Sequence, residues 1–218
     1  LFYDALHNTK KFDINEAIVK NVSNVSGGIK GLHLLPSSLG LIELQDQLMI
    51  VATTSMYAEK PTKILEKAIE PILPKYDIIL VDCPPNLGTI TLNGISISDY
   101  YLIPTIPDIL STYGIPQITK KVNDFVERES LNIKPMGIVI TKYRPNTRLH
   151  HATVETLKQK AEADSRYPKV FETKIPFTVR AEEAADYNVT PNTLKQKYGY
   201  SGLDSVFERL VEEIHDNV

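Results

Sequence analysis

Residues 76–94 read YDIILVDCPPNLGTITLNG. Four apolar residues, Ile78 to Val81, run directly into Asp82, and a Cys83-Pro84-Pro85 turn, Gly88 and a helix-like stretch follow. A short run that is apolar on both faces suits a strand buried inside a parallel sheet. Such a strand delivers Asp82 to its C-terminal tip, which is where open α/β sheets bind their ligands. Pro84 and Pro85 fix φ and stiffen the turn. Gly88 permits close backbone approach at the entrance to the helix. A carboxylate so placed can hold Mg²⁺ directly or through water. The competing role for Asp82 is to cap the turn or helix that follows.

Outward from this stretch, strand and helix patterns alternate. Apolar runs predict strands over 32–35, 78–81, 101–104, 136–141 and 170–175. Helical spacing predicts helices over 62–73, 89–97, 109–129, 149–163 and 201–214, with the third interrupted near its start by Gly114 and Pro116. The opening residues, LFYDALHNTKKFDINEAIVKNV, look like the end of one helix and the whole of the next, so a natural segment is expected before Leu1. The pattern predicts an α/β fold: a mostly parallel sheet with helices on both faces, in a single domain over 1–218. The strand ends should project to one edge: Pro36-Ser37-Ser38, Asp82 to Pro85, Pro104-Thr105, Thr141-Lys142-Tyr143 and Pro176-Phe177.

Composition sets the bounds. The chain has 218 residues, enough for a substantial core, and its 42% hydrophobic and 23% charged content is ordinary for a globular protein. No apolar run approaches the roughly 20 residues needed to cross a bilayer. No signal peptide is visible, and a cytoplasmic location is the simplest reading. A single cysteine, Cys83, excludes a disulfide framework or a cysteine-rich metal site within one chain, and reads as a small buried residue. Of the chain's 24 basic and 27 acidic residues, 13 and 7 fall between Lys120 and Arg180. This basic half suits either a polyanion-binding face or a solvated surface. His150 and His151 are adjacent, so they point to different helix faces; they make a poor metal pair and read as surface residues. Ser26-Gly27-Gly28-Ile29-Lys30-Gly31 precedes a strand pattern instead of feeding a helix, so it reads as an ordinary turn and not as a phosphate loop.

Several motifs taken together carry a resemblance. GLHLLPSSLGLIELQDQL, DCPPNLGTITLNG, SDYYLIPTIPDILSTYGI, GIVITKYRPNTRL and KVFETKIPFTVRAEEAADYNVTP occur in an order and spacing similar to the ParA/Soj branch of the ParA–MinD ATPases, the partition proteins with a deviant Walker motif. The resemblance implies a P-loop NTPase-like fold, with ATP and Mg²⁺ as cofactors. It implies a catalytic role for Asp82, which would hold the Mg²⁺ shell through water, with Pro84 beside the nucleotide. Thr141, Lys142, Pro176 and Phe177 match the two loops that hold the adenine. Arg180 matches an arginine that contributes to sequence-independent DNA binding, and Arg144 and Arg148 flank a similar position, occupied here by Asn146. The family's phosphate loop, K-G-G-x-G-K-S/T, has no copy in these residues. The βαβ unit that carries it is therefore expected to be missing, and the chain alone is not expected to complete the reaction.

The implied function is an ATP-dependent partition ATPase for plasmid or chromosome DNA. It would form a homodimer, bind nonspecific DNA and answer to a ParB-like partner, in association with the nucleoid. Two alternatives are a nucleotide-independent DNA-binding or scaffold relative and a ParA-like ATPase that positions another cargo. In the closing helix the stripe of Leu203, Val206, Phe207, Leu210, Val211 and Ile214 is opposed by acidic residues. A membrane-surface helix needs a basic polar face, so this helix is expected to pack on the sheet.

Overall fold

The computed structural model describes residues 1, 12–38, 40–41, 44, 60–199 and 202–218. Most of the first helix expected from the opening residues, and much of the segment after Gly40, lie outside the described residues. The chain divides into two compact units, one of residues 1–20, 33–99 and 131–133, the other of 21–32, 100–130 and 134–218.

In the first unit, α1 (Ile14–Ala17) starts at Asp13, whose carboxylate accepts from the Asn15 N–H at 2.9 Å. α2 (Ile64–Ile69) lies between 3₁₀ turns at Pro61–Lys63 and Glu70–Lys75, so the helical pattern expected over 62–73 becomes one composite run. Ile14, Ile69 and Ile72 form its core, with Leu35, Leu65 and Tyr76 packed against them. α3 (Thr89–Ser96) carries the fully buried Asn93. Its amide oxygen accepts from the Leu65 N–H at 3.0 Å, and its NH₂ donates to Pro61 O at 2.6 Å and Thr89 O at 2.9 Å. A single side chain thereby pins the start of α2 to α3.

Two expected strands are corrected here. Residues 32–35 make only an isolated antiparallel bridge, between Val19 and Leu34. Residues 78–81 are not in a strand. Their exposure alternates: Ile78 is 78% exposed, Ile79 44%, Leu80 90% and Val81 37%. A strand exists only when a neighbour takes up its backbone hydrogen bonds, and no described strand pairs with this run. The alternation of a strand persists, with one side covered: Val81 and Cys83 lie against Gly94 of α3, close enough that a Cβ there would be 3.0 and 3.1 Å from their side chains.

In the second unit, β1 (Tyr100–Thr105), β2 (Lys134–Tyr143) and β3 (Val170–Pro176) form a parallel sheet in the order β1-β2-β3. Residues 137–140 in the central strand are all buried, as a strand covered on both faces requires. Gly137 is needed there: a Cβ would fall 2.5 Å from the Phe171 ring and 2.9 Å from Lys169 O. Helices flank the sheet. α4 (Ile109–Glu129) buries Ile115, Thr119, Val122 and Phe125 along one stripe. It runs uninterrupted through Gly114 and Pro116, against the expected break. Pro116 lies two turns from the start and removes one N–H from the ladder. α5 (Arg148–Ala163) adds Val154 and Leu157 to a core with Ile103, Ile115, Ile138 and Ile140. α6 (Val179–Glu183) and α7 (Leu194–Tyr198) follow β3. α8 (Leu203–His215) packs on β3: the Glu213 carboxylate accepts from the Glu172 and Thr173 N–H groups at 2.7 and 3.0 Å, covering the sheet's outer edge. No described helix is long and apolar enough to cross a membrane.

The glycine-rich segment makes a turn, as its pattern predicts. Val25–Gly27 is a single 3₁₀ turn, and Ser26, Gly27, Gly28 and Gly31 all have positive φ. At Gly28 a Cβ would collide with Asn21 O at 2.3 Å, so no other residue fits. Asn24 ties this turn to the far end of the unit, donating to Asp186 O and Val189 O at 3.1 and 2.7 Å.

Candidate nucleotide site

The C-terminal ends of β2 and β3 bring five of the expected residues together. Tyr143 pairs with Pro176 across the last rung, and the Phe177 N–H donates to Tyr143 O at 2.9 Å. The Thr141 hydroxyl donates to Thr105 O at 3.2 Å, joining the ends of β2 and β1. Lys142 follows with φ 50°, a left-handed conformation that costs a non-glycine residue about 1–2 kcal/mol. Such strain persists only where the surroundings over-determine it, often beside a ligand. Pro176 is half-buried and Phe177 is 40% exposed, with the Arg144 guanidinium 4.3 Å above its ring. The edge therefore presents a hydroxyl, an ammonium and an aromatic face partly covered by a cation.

The other expected residues lie apart from this cluster in the chain. Arg148 opens α5 and is exposed. Arg180, in α6, is half-exposed and already engaged: it donates to Glu183 Oε2 at 3.2 Å and to Gln196 O at 2.7 Å. Asp82 and Pro84 belong to the first unit and are exposed. Asp82 lies between Val81 and Cys83, whose side chains face α3, so the alternation turns its carboxylate to the other side. The loop is closed behind it by Asn86, whose side chain accepts from the Gly88 N–H at 3.1 Å and whose carbonyl accepts from the Thr91 hydroxyl at 2.6 Å. One exposed carboxylate with room for water fits the outer shell of Mg²⁺, which keeps several waters and takes few protein ligands. No group of three or more metal-ligating side chains occurs among the described residues.

Cys83 is exposed, not buried as its sequence context suggests. The burial its sulfur does have, against α3, and the adjacent Asp82 carboxylate push its thiol up from the ordinary value, so it is protonated and unreactive at neutral pH. At the start of α4, Asp108 accepts from the Ser111 N–H at 2.7 Å and from the Ser111 hydroxyl at 2.9 Å. The backbone bond is the main reason its carboxyl is held below the usual range, and His150 contributes through its charge.

The two histidines are what the sequence reading missed. His150 Nδ1 accepts from the Arg144 N–H at 3.0 Å. His151 Nε2 meets Pro145 O at 2.8 Å, and its Nδ1 meets the Tyr143 hydroxyl at 3.1 Å. Both rings reach back from the first turn of α5 to the loop that leaves β2. The only sequence signal was their place just after that loop.

A family model described as an AAA domain matches residues 1–134. An uncharacterized Mycobacterium tuberculosis protein is 32% identical over 158 residues, which are 72% of this chain and 46% of that protein. The chromosome partitioning protein ParA of Myxococcus xanthus is 29% identical, over 56% of this chain and 42% of its own length. The sporulation initiation inhibitor protein Soj of Bacillus subtilis is 27% identical, over 73% and 58%. The chain thus spans about half the length of the curated relatives it matches. Among solved structures, apo McdA from Cyanothece superposes with a TM-score of 0.73 at 17% identity, covering 97% of this chain and 76% of that one. A Borrelia burgdorferi plasmid partition protein bound to AMPPNP gives 0.67 at 19%, covering 99% and 74%. Cobyrinic acid a,c-diamide synthase from Mycobacterium smegmatis, with an ATP analogue and magnesium, gives 0.62 at 22%, covering 81% and 64%. At these identities the structural likeness establishes the fold: a P-loop NTPase-like parallel sheet with flanking helices.

Proposed function

The chain belongs to the ParA-type partition ATPases, an AAA-domain family, and on that premise we propose that its protein binds ATP with Mg²⁺ and hydrolyses it to partition or position a cargo. The observation that carries this reading is the cluster of Thr141, Lys142, Arg144, Pro176 and Phe177 at the C-terminal ends of neighbouring parallel strands. Pro176 and the open part of the Phe177 ring offer a flat apolar wall to an adenine face. Lys142 supplies a donor at the rim, and the Thr141 hydroxyl, whose proton goes to Thr105 O, offers an acceptor. Asp82 would hold the Mg²⁺ shell through water, and the ion when bound offsets charge on the triphosphate. With the ion bound, Asp82 would fix the position of its water, and positioning is most of what phosphoryl transfer asks of a protein. Pro84 keeps that loop stiff.

The same reading includes ATP-driven homodimerisation, nonspecific DNA binding through Arg144, Arg148 and Arg180, and a ParB-like protein that stimulates turnover. Lysines and arginines of this kind neutralise phosphates without reading bases. Replacing Asp82 in the full-length protein tests the enzymatic reading. Asp82→Ala should lower ATP turnover by about a hundredfold or more and leave the circular dichroism spectrum unchanged. Turnover equal to that of the parent protein would remove Asp82 from the mechanism.

A further inference from the structure

We propose that His150, as a neutral imidazole, is a positioning residue for the loop between β2 and α5, with His151 as a second brace. The proposal rests on the reading of Thr141, Lys142 and Phe177 as nucleotide-facing. Lys142 leaves β2 in a left-handed conformation, and the next residues must be held to keep it there. The usual holder is absent: Thr147, at the N-cap of α5, makes no side-chain capping bond. The imidazoles add to the turn's own bond, in which the Thr147 N–H donates to Arg144 O at 3.1 Å. Arg144 N–H donates to His150 Nδ1 at 3.0 Å, and Phe177 N–H donates to Tyr143 O at 2.9 Å. With its proton on Nε2, His151 donates to Pro145 O at 2.8 Å; the Tyr143 hydroxyl lies beside the same ring, 3.1 Å from Nδ1 and 3.2 Å from Nε2. The Arg144 side chain is stacked on Phe177, so fixing its backbone also fixes what lies over the proposed adenine wall.

The two rings differ in what a proton does to them. A backbone N–H can only donate, so the His150 nitrogen facing it must carry a lone pair. Protonation puts N–H against N–H and the bond is lost. His151 tolerates protonation: its Nε2–H still meets Pro145 O, and Nδ1–H can donate to the Tyr143 oxygen. The charged and titratable neighbours are the Asp108 carboxylate at the start of α4, which feels His150, the Lys174 ammonium 5.7 Å from the Tyr143 ring, Tyr143 itself and the Arg144 guanidinium. The bond from the Arg144 N–H therefore needs a neutral His150, whereas His151 keeps its bond to Pro145 O in either state.

The test uses the full-length protein and its His150→Asn and His150→Ala variants. Asn places an amide oxygen where Nδ1 sits, so it accepts from the Arg144 N–H without titrating. Binding of a fluorescent ATP analogue with Mg²⁺ is measured at pH 8 and constant ionic strength. One hydrogen bond corresponds to about a tenfold change in affinity. His150→Ala should therefore bind about tenfold more weakly than the parent protein, and His150→Asn should keep the parent affinity. Parent-like affinity in His150→Ala, or the weakened affinity of His150→Ala in His150→Asn, overturns the proposal. If the parent binds no nucleotide, the functional reading fails, and the hold is read from hydrogen exchange at the Arg144 amide. At pH 7.5 that exchange should quicken about tenfold in His150→Ala and not in His150→Asn; equal exchange in all three overturns the proposal.

Discussion

Asn93→Ala removes the side chain that joins α3 to the start of α2. Asn93 is fully buried and makes three hydrogen bonds, to Leu65 N–H, Pro61 O and Thr89 O. The Leu65 N–H lies in the first turn of α2, where backbone donors have no partner inside the helix, so the Asn93 oxygen serves as a cap supplied from another element. Each bond contributes about 1 kcal/mol net, and the loss should be about 3 kcal/mol, a large part of the roughly 5–15 kcal/mol that holds a domain folded. Equilibrium urea unfolding measures it as a lower midpoint, and hydrogen exchange at Leu65 measures it locally. Asn93→Asp sharpens the test, because it keeps an acceptor for Leu65 but sets a buried carboxylate against two carbonyl oxygens. That carboxyl would have a folded pKa raised above its unfolded value, so the damage is full at neutral pH and eases as pH falls through the raised value. A loss below about 1 kcal/mol in Asn93→Ala, with Leu65 exchange unchanged, would refute the role given to this amide.

Two further predictions concern the second unit. Asp108→Ala removes the cap of α4 and should cost about 1 kcal/mol at pH 7; because Ser111 holds the folded carboxyl below its unfolded value, this stability is present above the unfolded pKa and lost as pH falls through the folded one, so thermal melts of parent and variant should converge in acid. Arg148→Glu should weaken DNA binding equally across sequences and reduce the salt slope by about one, whereas an unchanged slope assigns Arg148 to solvated surface; Arg148 is the cleaner probe than Arg180, whose guanidinium is already spent on Glu183 and Gln196.

The sheet of the second unit was legible because its signals are local and repeated. In β2, residues 137–140 are buried on both faces and read as an unbroken apolar run, and α4 shows its stripe at Ile115, Thr119, Val122 and Phe125. Residues 78–81 carry the same kind of run, and there the reading of a buried strand failed. Composition records what a segment is suited to bury, but a strand also needs a partner for its N–H and C=O groups, and that partner is a property of the rest of the fold. The alternation of bare Ile78 and Leu80 with half-covered Ile79 and Val81 shows a segment with a strand's side-chain pattern and no strand paired to it among the described residues.

The candidate site divides along the same line. Thr141, Lys142, Pro176 and Phe177 could be placed from sequence because strand ends in a parallel sheet share an edge, and the rung between Tyr143 and Pro176 puts them there. The holding of that edge could not be read. A left-handed residue is usually announced by glycine or asparagine, and here it is Lys142. Helix caps are announced by Ser, Thr, Asp or Asn, and here Thr147 occupies the position while two histidine rings hold the backbone from inside the helix. A ring nitrogen reaching a backbone group six residues away leaves no periodic trace. The consequence is chemical as well as structural: a hydroxyl or amide cap would hold this loop at any pH, whereas an imidazole that must accept from an N–H holds it only when unprotonated.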